Sequence, residues 1–223
     1  MPYYPVVIVL ILAVLNWIAV EKQWKVVEYI AKPGTMLAIL WWIGQTAGWG
    51  GSMLWFTLGV IFCLGGDVFL MLPEKFFILG LVSFLIGHVC YVVGFNNATP
   101  YINLLGIVAI VVLAIYIGWL YPRLLAGLAE KGKSALKIPV LIYSLVISLM
   151  VYSAVMTWTR QGWTTQAAVS ATVGALLFLI SDSILAWDRF IKRFTHARLL
   201  TMITYHLGQV GIVLSAILYT GLK

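Results

Sequence analysis

Eight apolar stretches, each roughly 20 residues long, follow one another through this 223-residue chain with only short breaks between them. A helix needs about 20 mostly apolar residues to cross the hydrocarbon core of a bilayer. The stretches cover residues 4–20, 32–48, 53–72, 76–95, 103–121, 137–158, 164–187 and 199–220. Composition agrees: 63% of residues are hydrophobic and 9% charged, against about 45–50% and 25% in an ordinary soluble domain. A chain so poor in charge cannot cover a water-facing surface, which excludes a soluble enzyme or a disordered tail. The net charge of +7 does not point to nucleic acid, because the basic residues form no dense tract. The expected fold is all-α, a polytopic membrane protein with eight transmembrane helices in a single integral membrane domain over residues 1–223. The first stretch lacks a basic n-region and an Ala-x-Ala site, so it reads as a retained helix rather than a signal peptide. Cys63 and Cys90 lie inside apolar runs and read as small packing hydrophobes.

Lys and Arg in short loops mark the cytoplasmic side of such a protein. With the N-terminus outside, twelve of the fourteen basic residues fall in or beside the four inner loops. Only Arg160 and Lys223 remain on the other side. Both termini are therefore expected to be extracytoplasmic, in the cytoplasmic membrane if the source is bacterial. The ten tryptophans gather near the ends of the runs and read as two interfacial belts.

Acids inside a membrane helix cost about 2.5–3.5 kcal/mol at mid-bilayer and are functional by default. Two stand out, Asp67 in GGDVFLML and Asp182 in ISDSILA. Each lies a few residues before the inner end of its run, roughly 7 Å deep at 1.5 Å per residue. Equal depth on two helices allows them to meet. The following runs each carry a histidine. His88 has Tyr91 three residues on, and His206 is flanked by Tyr205 and Gln209, spacings that put each set on one helix side. Lys32-Pro33 places a cation near the inner interface, with the proline in a first helical turn. The small residues Gly59, Cys63 and Gly66 read as a close-packing stripe, and Asn16 as packing between helices.

Gly66-Asp67-Val68-Phe69-Leu70 and Ser181-Asp182-Ser183-Ile184-Leu185 share a pattern, and the two aspartates stand 115 residues apart. That spacing suggests two parallel four-helix repeats, residues 1–100 and 101–223, related by an axis along the membrane normal.

Lys32-Pro33, Gly66-Asp67, His88 with Tyr91, Ser181-Asp182 with Leu185-Ala186, and Tyr205-His206 with Gly208-Gln209 together resemble the YhhN family. This is the lysoplasmalogenase family of eight-helix membrane proteins. The resemblance implies hydrolysis of the vinyl-ether bond of a lysoplasmalogen-type lysophospholipid within membrane lipid, giving a fatty aldehyde and a glycerophospho-alcohol. It also implies that Asp67 and Asp182 are the family's two functional acids.

Acid cleaves vinyl ethers: protonation of the β-carbon gives an oxocarbenium ion, water adds, and the hemiacetal collapses. This logic parallels glycoside hydrolysis, where two carboxyls flank a similar cation. A buried pair of carboxyls would share one proton, leaving one acid and one carboxylate. On this reading Asp67 and Asp182 are catalytic, in either order. Tyr205, His206 and Gln209 orient water or the glycerol hydroxyl, and Lys32, alone or with an inner-loop arginine, holds the lipid phosphate. His88, Tyr91 and Ser181 support the site. No metal or other cofactor is required, although Asp67, Asp182, His88 and His206 around a divalent ion is an alternative. A proton-coupled transporter or exporter of a small or lipidic substrate is the rival reading, and a membrane scaffold held by its polar residues is a third.

Overall fold

A computed structural model of the chain describes residues 4–96 and 103–221. Among these there are eight long helices and no strand: α1 (Tyr4–Glu21), α2 (Lys25–Thr46), α3 (Leu54–Met71), α4 (Phe77–Phe95), α5 (Leu104–Glu130), α6 (Lys137–Val155), α7 (Thr165–Ala186) and α8 (Ala197–Thr220). All eight are long and apolar enough to cross a membrane, so the chain is an integral membrane protein built as an all-α bundle. Lys223, one of the two basic residues expected opposite the inner loops, lies outside the described residues.

Two helices differ from the sequence expectation at their ends, each through its cap. The helix expected over 32–48 begins at Lys25. Gln23 adopts a left-handed φ of 57°, and Trp24 N–H reaches back to the Ala19 carbonyl at 2.8 Å. This closes α1 in a Schellman-like turn and starts α2 almost at once. Lys32 and Pro33 therefore sit inside the helix rather than in its first turn, about 10 Å along it. The helix expected to stop at 121 runs through Pro122 to Glu130. Gly132, at φ 67°, supplies the left-handed cap, and Lys133 N–H closes onto the Leu128 carbonyl at 2.8 Å. A proline costs one helical hydrogen bond, and the helix ends where a glycine can turn it.

Each acid-bearing helix packs along its length on the helix that follows. Between α7 and α8 the backbones nearly touch: a Cβ at Gly211 would lie 2.7 Å from Gly174 Cα, and one at Gly174 would lie 2.6 Å from Ile212 N. Membrane helices lack the hydrophobic drive that water supplies, so close backbone approach at small residues holds them together. Gly211→Val should lower stability by about 1–3 kcal/mol through overpacking, read as a lower apparent Tm in detergent. Between α3 and α4 the small residues take aromatic rings. A Cβ would fall 2.2 Å from the Tyr91 ring at Gly59 and 2.5 Å from the Phe84 ring at Gly66.

Burial is uneven: 56% of the spanning window of α8 is buried inside the protein, but only 17% of that of α5. α8 thus lies at the centre and α5 at the periphery, where Ile107, Val111 and Ile115 point outward. The short α1–α2, α3–α4, α5–α6 and α7–α8 connections gather at one end of the bundle, the cation-rich end.

Candidate active site

At the cation-rich end the bundle opens into a cleft of about 840 Å³. Its floor carries Asp67 and Tyr205, its walls Lys32, Ser181 and Asp182, and its rim the charged residues of the connections. Asp67 is fully buried. Lys32 Nζ lies 3.1 Å from its Oδ1, and the Tyr205 hydroxyl donates to Oδ2 at 2.7 Å. Lys32 reaches this depth because α2 begins early, which carries residue 32 down the helix and away from the interface. It is 5% exposed and committed to Asp67. The expected interfacial phosphate ligand is instead half of a buried ion pair, an arrangement that is costly to break from either side.

Asp182 is placed differently. It is partly exposed to the cleft and accepts a hydrogen bond from the Tyr143 hydroxyl of α6. His88 Nε2 lies 3.2 Å from Asp182 Oδ2 and 3.0 Å from Tyr143 Oη. The imidazole is held edge-on against Phe178, centroid to centroid 4.6 Å. A carboxyl with two hydrogen-bonding neighbours on separate helices has its orientation fixed before any substrate arrives. Beyond Asp182 a narrow apolar slot of about 70 Å³ runs between α4, α5, α6 and α7. Asp182 lines both the charged cleft and the slot.

The two aspartates share the cleft, as their matched depth predicts, but no hydrogen bond joins their carboxyls among the described residues. Each carboxyl has its own hydrogen-bonding partners: Lys32 and Tyr205 for Asp67, Tyr143 and His88 for Asp182. The aromatic and amide residues also separate. Tyr205 reaches Asp67, whereas Gln209, one turn deeper, accepts from the Tyr91 hydroxyl at 2.6 Å and ties α4 to α8. His206 does not join them. It turns to α1, where Trp17 Nε1 donates to its Nδ1 at 3.1 Å and to the Met202 carbonyl at 3.2 Å. Positions 205 and 209 are a helical pair on one side, but 206 is rotated about 100° onto the face that meets α1. Trp17 therefore does more than mark an interface. The Ser181 hydroxyl is spent on the Thr201 carbonyl at 3.1 Å, a strap between α7 and α8.

Among the described residues no three His, Cys, Asp or Glu side chains come together as a metal-ligand set. With His206 turned to Trp17 and His88 to Asp182, the four residues of the divalent-ion alternative do not converge.

The rim is laced by ion pairs and a histidine–carboxylate contact across connections. Glu74 meets Lys133 at 2.6 Å and Arg189 at 3.4 Å. Glu28 meets Arg198 at 2.6 Å and Glu21 meets His196 at 3.0 Å. These pairs bind the helix ends around the cleft and account for three of the loop acids.

Sequence reasoning does not single out Tyr143 or Arg189. Tyr143 carries a readable signal: it is a polar tip six residues into α6, at about the depth of Asp182. Arg189 carries none, since nothing local distinguishes it from its basic neighbours.

The fold and site together define a polytopic membrane protein with a one-sided intramembrane cleft, two acids on separate partner sets, and an apolar slot leading from one of them. The YhhN family model matches residues 27–216. The chain belongs to the YhhN family. It is 30% identical over 221 residues to the Mus musculus protein named lysoplasmalogenase TMEM86B, a match covering 98% of this chain and 88% of the relative. The Rattus norvegicus TMEM86B is 30% identical over 220 residues, covering 98% and 85%. The Homo sapiens lysoplasmalogenase TMEM86A is 30% identical over 165 residues, covering 72% and 64%. No solved structure matches the chain.

Proposed function

We propose that this protein hydrolyses the vinyl-ether bond of lysoplasmalogen-type lysophospholipids, releasing a fatty aldehyde and a glycerophospho-alcohol. The observation that carries the reading is the position of Asp182, where a charged cleft meets an apolar slot. A lysoplasmalogen has the same order of parts: a phosphate headgroup, a vinyl ether, then a hydrocarbon chain. With the headgroup in the cleft and the chain leaving through the slot, the vinyl ether lies at Asp182. The names of the relatives support the same chemistry.

In the proposed reaction Asp182 delivers a proton to the β-carbon of the vinyl ether, leaving an oxocarbenium ion. Water adds to the α-carbon and loses a proton, and the hemiacetal collapses to aldehyde and alcohol. Tyr143 and His88 hold the Asp182 carboxyl in line and return its proton between turnovers. Asp67, held by Lys32 and Tyr205, supplies negative charge at the floor of the cleft, where it stabilises the developing cation and draws water. Preorganised charge of this kind commonly contributes more to an enzyme's rate than any other single effect. The cleft opens at the cation-rich end, which the positive-inside rule assigns to the cytoplasmic leaflet.

No observation favours transport, since both acids open to one cleft at one end of the bundle. The test is incubation of purified protein in detergent with a lysoplasmalogen, followed by mass spectrometry. Equimolar aldehyde and glycerophospho-alcohol are expected, and an unchanged lipid would sink the reading. Tyr143→Phe removes one hydrogen bond to Asp182 and should lower kcat about tenfold, with KM little changed. An unchanged kcat would remove Tyr143 from the mechanism.

A further inference from the structure

We infer that Arg189 binds the phosphate of the substrate and thereby sets the vinyl ether in register with Asp182. The inference rests on the hydrolase reading above and adds the residue that recognises the headgroup. Arg189 is the one cation among the described residues that lines both the cleft and the apolar slot. The other cations around the cleft line the cleft alone. Several of those are already engaged: Lys32 with Asp67, Lys133 with Glu74, Arg198 with Glu28.

Arg189 is held more loosely by acid and more firmly by shape. Its contact to Glu74 is 3.4 Å, on an acid that Lys133 meets at 2.6 Å. Its guanidinium carbon lies over the Phe77 ring, 3.8 Å from the centroid, and its buried Nε donates to no acceptor among the described residues. A guanidinium over a ring keeps its N–H edge in plane for a pair of oxygens, the geometry that phosphate recognition uses, and here the long contact to Glu74 is the acidic partner that a phosphate would displace.

The backbone that carries it is unusual. Trp187–Ile191 forms a π turn at the end of α7, a feature that often marks functional positions. Gly127 of α5 lets the two backbones meet there, since a Cβ at 127 would lie 2.0 Å from the Phe190 carbonyl oxygen. Lys131 Nζ donates to the Arg189 carbonyl at 2.9 Å and fixes the turn from the same side. Arg189 follows Asp182 by two helical turns, about 10 Å along the axis. That axial separation is of the order spanned by an arginine side chain together with one glycerol unit.

The experiment compares two substrates with the same alkenyl chain, a lysoplasmalogen and a 1-alkenylglycerol without phosphate, in non-ionic detergent. Arg189→Gln should lower kcat/KM for the lysoplasmalogen about 10- to 100-fold, the size of a lost charge-assisted pair. The same variant should leave the 1-alkenylglycerol rate close to wild type, and Arg189→Lys should fall between. Equal losses on both substrates would mean a structural role and would overturn the inference. So would a substrate preference that appears only after anionic phospholipid is added, because the arginine would then bind a bystander headgroup. If the wild type cleaves neither substrate, the hydrolase reading itself has failed, an outcome separate from either of these.

Discussion

Asp182→Asn should abolish aldehyde release, by about 10²- to 10⁴-fold if the residue is the general acid, while the protein stays folded. The substitution is nearly isosteric and keeps an oxygen to accept from Tyr143, so the helix contacts at this site survive. What it removes is the proton that the reaction needs. The check is single-turnover aldehyde release by the purified variant, with its apparent Tm in detergent measured alongside. Near-wild-type turnover would exclude Asp182 as the acid. A large fall in Tm would mean instead that Asp182 holds α4, α6 and α7 together.

The second large effect concerns the buried Lys32–Asp67 pair at the cleft floor. Lys32→Met leaves Asp67 fully buried without a cation and should cost about 3–5 kcal/mol of stability, as breaking a buried ion pair from one side does. Lys32→Met combined with Asp67→Asn removes both charges and should recover most of that stability. Replacing a buried pair by uncharged groups is often close to neutral. The double variant should nevertheless stay inactive, because the negative charge at the cleft floor is gone. Thermal unfolding and aldehyde release on the two single variants and the double complete the cycle. A stable double variant with full activity would show that Asp67 has no part in the reaction. A double variant no more stable than Lys32→Met would show that the two residues are not energetically paired.

Depth is readable from the sequence and direction is not. Asp67 and Asp182 stand out because each lies a fixed number of residues from a charged boundary, and distance along a helix is simply a count of residues. Lys32 misleads because a charge after a break reads as the start of a span. The turn that moves it inward depends on Gln23 in a left-handed conformation, which a non-glycine residue adopts only when its surroundings require it. His206 groups with Tyr205 by proximity, but the helix beside α8 on that face is α1. Tyr143 is easily passed over because a tyrosine in an apolar run looks like packing until its neighbour is known. The π turn under Arg189 packs against a glycine on another helix, some 60 residues away in the chain.

What the sequence alone determined is whatever depends on transfer of each segment from water to lipid: eight spanning helices, the end at which the cations collect, and two acids with no role in topology. Those free energies are local and add along the chain, so they are legible without knowing any contact. Only the tertiary structure decided that Asp67 pairs with Lys32, that Asp182 meets Tyr143 and His88, and that a slot opens beside Asp182 and not Asp67. Those outcomes depend on which helix faces meet, and that choice is made by close packing between residues far apart in sequence.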